Sequence, residues 1–291
     1  MNNIETVYHA IAVLNGQDSS ACGKASVWLG EFQKSVYAWT ICDRMLAEKR
    51  DVNACYFAAQ TMRQKLLHSM RELPRIAYTS LRDSLINHIS SFECYPIERN
   101  GVIIMQLCLT LADLYLQVAE WTDFIAEILD KFTTMAEDKT PVLLNLLKVF
   151  PEEIQSRHLR VGENRRRVVN AELARQTHAV LHFLSSTMKR RLCCFDVAIG
   201  GVVPVNDVLL LLHIPRSDTK CRTVLLLFLL LPRLCSDVCV KNANDVDVVR
   251  RVLNCLSSWL LNPLVPTDEL ASSQLLQSVY LLLVRPLDAV L

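Results

Sequence analysis

The sequence predicts an all-α protein, an α-solenoid of HEAT-like antiparallel helix pairs in a right-handed superhelical array. Three observations predict it. Only 7 Gly and 10 Pro occur in 291 residues, too few turn-formers for a sheet-rich chain of this size. Apolar residues recur at three- and four-residue spacing in segment after segment. Those segments pair, and the first helix of each pair begins near residues 4, 37, 80, 121 and 163, a spacing of about 40 residues, the period of HEAT and armadillo-like repeats. One pair's apolar stripe is too wide for a lone hairpin to bury, so stacked neighbours complete the core.

Taken in order, Ile4, Val7, Tyr8, Ile11 and Leu14 form the first stripe, which Asn15-Gly16 stops. Ala25, Trp28, Leu29 and Phe32 form the second, and Ala38, Cys42, Met45 and Leu46 the third. Asp51 caps the fourth, whose stripe is Cys55, Ala58, Ala59, Met62 and Leu66. Ser80 with Asp83 reads as a variant capping box ahead of Leu85, Ile86 and Ile89, and the partner helix carries Ile104, Leu107, Leu111 and Leu114. Next come Phe124, Ile125, Ile128, Leu129 and Phe132, then Pro141 at a first helical position leading Leu143, Leu144 and Leu147. A long helix runs from about Asn164 to Met188, and Val249, Val252, Leu253, Leu256 and Leu260 make a later stripe. Trp28, Phe32, Met62, Leu107 and Leu147 are expected to be buried between repeats.

The pattern divides the chain into repeats over 1–188, an atypical, poorly specified insertion over 189–247, and a truncated continuation of repeats over 248–291. The insertion mixes leucine runs, Gly200-Gly201, three prolines and five of the eleven cysteines. Neither of its apolar runs spans a bilayer: Thr223–Leu231 falls far short of about 20 residues, and Val197–Leu212 is interrupted by Pro204, Asn206 and Asp207. Because its local signals conflict, the stretch from about Arg191 to Asn244 is expected to be the least ordered.

A formal charge of +1 gives no global argument for nucleic acid or an anionic membrane surface. The N-terminus lacks a positively charged leader before an apolar run, so the expected location is cytoplasm and nucleus, with the cysteines reduced and acting as small apolar groups. Cys193, Cys194, His213, Cys221, Cys235 and Cys239 form no C-x-x-C pair, so no metal is expected. Gly200-Gly201 lacks a phosphate-loop lysine and a dinucleotide fingerprint, so no cofactor is expected. With no G-x-S-x-G elbow and with histidines scattered over helices, no enzyme is read here. Arg157, Arg160, Arg165, Arg166 and Arg167 could attract phosphate; because they stand alone, the reading is an inter-repeat loop paired with Glu152, Glu153 and Glu163.

Particular residues add a resemblance. Trp28-Leu29-Gly30, Ala38-Trp39, Tyr56-Phe57-Ala58-Ala59-Gln60 and Leu81-Arg82-Asp83-Ser84 resemble the N-terminal repeats of the transportin-3/importin-13 branch of the karyopherin-β nuclear transport receptor family. TLADLYLQVAEW, VFPEEIQSRHLRVGENRRR and, after the insertion, VVRRVLNCLSSWLL continue it in family order. The resemblance implies a nuclear import receptor whose N-terminal repeats grip Ran in its GTP state, with cargo proteins and nucleoporins as partners of the full-length family. It implies no direct nucleic acid and no membrane span.

Two departures stand out: the insertion interrupts the fifth repeat, and members of this family are several times longer, so the chain reads as an N-terminal portion. The second helices of the family's repeats line the concave surface, so Tyr56, Gln60 and Arg63, grouped on a face beside the apolar stripe, are the candidate Ran-binding residues, with Asp113 on the next second helix a further one. Neither Tyr56 nor Arg63 is assigned to the core, so both are expected to be replaceable at little cost in stability. The alternatives are a HEAT-repeat scaffold without Ran binding and a membrane-associated protein using the leucine-rich insertion.

Overall fold

Helix starts follow from the residues that satisfy orphan backbone N–H groups. Asp18 accepts from the N–H groups of Ser20 and Ala21 at 2.9 and 3.2 Å, and Asp51 accepts from that of Ala54 at 2.9 Å. The computed structural model describes residues 3–16, 18–92, 97–156, 161–191 and 243–261. They form α1 (Ile4–Leu14), α2 (Ser19–Lys34), α3 (Ala38–Glu48), α4 (Val52–Ser69), a short 3-10 turn (Met70–Glu72), α5 (Ala77–Ser91), α6 (Ile97–Gln117), α7 (Phe124–Thr133), α8 (Thr140–Glu153), α9 (Glu163–Arg191) and α10 (Ala243–Leu261), with no strand among the described residues.

One expected start is corrected. Ser80 and Asp83 do not cap α5, which begins at Ala77, a turn earlier. Pro74 fixes the preceding turn, its carbonyl accepting from Ala77 N–H at 2.9 Å, so Ser80 lies inside the helix. At the end of α3, Lys49 takes a left-handed conformation (φ 50°) and its N–H bonds Met45 O at 3.0 Å.

The chain divides into two compact units, Met1–Glu120 with Ser156–Val161, and Trp121–Gln155 with Gly162–Leu291. In the first, α1 pairs with α2, α3 with α4 and α5 with α6, while α2, α4 and α6 also pack in sequence as a row of second helices. In the second unit α7 pairs with α8 and α9 with α10, and α10 lies along α8 as α6 lies along α4. Each unit is thus an array of HEAT-like antiparallel helix pairs.

Phe32, Met62, Leu107 and Leu147 are buried as expected. Trp28 is not: it sits half-exposed at the edge of the Ala25–Leu29–Phe32 stripe, stacked on Phe32 with ring centres 6.0 Å apart, while Phe32 meets Phe57 of α4 at 6.3 Å. Among the described residues only Asn100–Gln117 of α6 is long and apolar enough to cross a membrane, and most of it is buried in the first unit. Cys42, Cys55, Cys108 and Cys255 are buried thiols, and burial pushes Cys42 up to about 12.

In the second unit, Pro151 lies inside α8 and has no N–H for the carbonyl of Leu147, four residues back. Trp259 of α10 supplies the donor instead, its Nε1–H bonding Leu147 O at 2.8 Å in a buried setting. The readings placed on Arg157, Arg160, the cysteine and histidine set of 193–239, Gly200-Gly201 and residues 262–291 lie outside the described residues, as does nearly all of the expected insertion.

Candidate functional site

Helix α4 carries the candidate face because its period separates two rows. Ala58, Ala59, Met62 and Leu66 are buried, while Tyr56 keeps 37% of its surface exposed and Gln60 and Arg63 are half-buried beside it. The fourth candidate is placed differently. Asp113 has no exposed surface, and its Oδ2 takes the Arg63 Nε–H at 3.1 Å, joining α6 to α4. The structure therefore brings Arg63 and Asp113 together, leaves Tyr56 open, and makes Asp113 a support for the face. It also corrects the reading that Arg63 is dispensable to stability: its guanidinium, whose side chain is 21% exposed, compensates a buried carboxylate.

Polar clusters flank this face that the sequence reading missed. Lys65 is buried, ion-pairs with Glu72 and lies 5.5 Å over the Trp39 ring, whose Nε1–H donates to the same carboxylate at 3.2 Å. The hydrogen bond from Lys65 holds Glu72 below the usual carboxylate range, with Trp39 adding to it against the upward push of burial. One signal was available: Lys65 sits three residues after Met62, in line with the apolar stripe.

Between α3 and α5, Asp43 accepts from Ser84 Oγ–H and from His88 Nε2 at 2.8 Å. A carboxylate only accepts, so Nε2 carries the proton. That ring nitrogen also lies 3.2 Å from Ser84 Oγ, so it is committed to the carboxylate and cannot serve the serine as a base; Ser, His and Asp meet here without forming a nucleophilic triad. The His88 hydrogen bond, aided by Ser84 and opposed by burial, holds Asp43 below the usual range. A depressed carboxylate contributes stability that is present above its unfolded value near ~3.9 and lost as pH falls through its lower folded value. Asp43→Asn is expected to lower the melting temperature at pH ~6 by more than at pH ~3, read by thermal melts; an equal deficit at both values would refute it.

The described part of the basic cluster is also occupied. Arg166 donates to Ile154 O at the end of α8, Arg165 to Trp121 O at 3.2 Å, and Arg167 to Asn164 Oδ1 at 2.9 Å. The first of these contacts places a cation at the carboxyl end of α8, where the helix dipole favours it. Among the described residues no three His, Cys, Asp or Glu side chains converge as metal ligands would.

A protein built this way is a HEAT-type helical repeat protein with an open face on a second helix. The Exportin 1-like protein family matches residues 100–192. The chain is 32% identical over 157 residues to the mRNA transport regulator MTR10 of Saccharomyces cerevisiae, covering 53% of this chain and 15% of that protein. It is 30% identical over 183 residues to Transportin MOS14 of Arabidopsis thaliana, covering 61% and 19%. Against Importin-13 homolog A of Dictyostelium discoideum it is 22% identical over 278 residues, covering 92% and 23%. These similarities support kinship with the karyopherin-β family. It spans less than a quarter of the length of these relatives.

Proposed function

We propose that this chain is the N-terminal part of a nuclear import receptor of the transportin-3 type, which binds Ran in its GTP state and contributes to nucleocytoplasmic protein transport. The observation that carries the reading is the similarity to proteins named as transportin, importin and transport regulator. The face of α4 supports its location in the chain: Tyr56 and Gln60 are the contact residues, Arg63 lies partly exposed beside them, and Asp113 acts through Arg63 by holding it. Cargo proteins and nucleoporins are partners of the full-length family and are assigned no residue here. The working location is cytoplasm and nucleus.

The test is retention of the chain on immobilised Ran loaded with a GTP analogue or with GDP. Retention on the GTP form alone is expected. Tyr56→Ala with Gln60→Ala should weaken it about tenfold, the ~1.4 kcal/mol within reach of one aromatic anchor. Folding stability should change by no more than about 0.5 kcal/mol, because Tyr56 lies at the surface. Equal retention on both nucleotide forms, or none on either, would leave the chain a HEAT-repeat scaffold without Ran binding. Undiminished binding by the double variant would remove this face from consideration.

A further inference from the structure

Three helix ends meet at Arg191. This residue closes α9, and its guanidinium reaches Asp245 Oδ1 at 2.7 Å in the first turn of α10 and Asp138 just ahead of α8. Asp138 in turn accepts from the Thr140 backbone N–H at 3.0 Å, so the start of α8 is tied to the same carboxylate. Each end carries the sign its dipole favours, a cation at the carboxyl end of α9 and a carboxylate at the amino ends of α8 and α10. Asp245 is 2% exposed, so its charge depends on compensation from within the protein. Arg191 and Asp245 are 54 positions apart in sequence, yet α9 and α10 pack together.

We propose that Arg191 is a latch that fixes where the chain returns, docking the start of α10 against the end of α9 and the start of α8. Further along α10 the docking is continued by Arg251 to Asn145 at 2.6 Å and by Trp259 to Leu147 O.

Hydrogen exchange on the full chain, read on the α10 amides Val248–Leu261, tests the latch. Arg191→Met should speed exchange there about tenfold or more while α3–α6 keep their protection, with Arg191→Lys in between because it retains the charge. Wild-type protection of α10 in Arg191→Met would overturn the latch. If that variant fails to fold, Arg191→Met with Asp245→Asn removes the latch without leaving a buried charge; it should still exchange faster, and parental protection there overturns the proposal equally.

Discussion

Arg63→Met is expected to lower the stability of the first unit by about 3 kcal/mol, toward the lower end of the range for a buried ion pair broken at one partner, because Arg63 is itself partly exposed. Asp113 has no exposed surface and sits on α6 with Leu111 and Leu114 buried on either side, so without Arg63 its charge loses a compensating cation in a medium that solvates it poorly. The companion variant decides the mechanism. Arg63→Met with Asp113→Leu removes both charges, and most of the lost stability should return. Denaturant unfolding together with hydrogen exchange of α6 amides reads the effect. A double variant as unstable as Arg63→Met alone would show that the arginine acts through its packed stem and not through the ion pair. The result also bears on Ran binding, since Arg63→Met combines a change of face with a loss of fold, whereas Tyr56→Ala changes the face alone.

Trp259→Ala is expected to cost the second unit about 3–5 kcal/mol, the usual range for deleting a buried indole. Trp259→Phe isolates the hydrogen bond: the ring stays apolar, but Leu147 O loses its donor, at a cost of about 1–3 kcal/mol for a buried acceptor left without one. Proline is the reason that carbonyl needs a partner from another helix. Pro151→Ala restores a backbone N–H four residues after Leu147, so in the Trp259→Phe background it should recover most of the loss, while in the parent it should change little. Equal effects of Pro151→Ala in both backgrounds would break the link between proline and tryptophan.

Much of the architecture was legible because periodicity reports burial directly. Ile4, Val7 and Ile11 fall on one side of any helix whatever packs there, and Asp51 caps α4 using only the backbone three residues on. The start of α5 was misplaced because Ser80 and Asp83 satisfy a cap pattern locally while Pro74 nucleates the helix a turn earlier. Trp28 was placed inside because the stripe that contains it has no sharp edge in sequence, and its neighbours set how far it is covered.

By itself, then, the sequence determined the helices, their order and pairing, and, through its resemblance motifs, pointed to the kinship that the similarities support. Tertiary structure alone decided what the buried polar groups do. Arg63 and Asp113 lie 50 positions apart, Asp43 and His88 45, and Trp259 and Leu147 112. A helical repeat sets apolar faces by local spacing, but it brings side chains together across stacked pairs at separations that no local pattern encodes. Whether a charged or polar residue on a helix is a binding contact or a compensated part of the core depends on which atom arrives opposite it, as Arg63 shows at the edge of the candidate face.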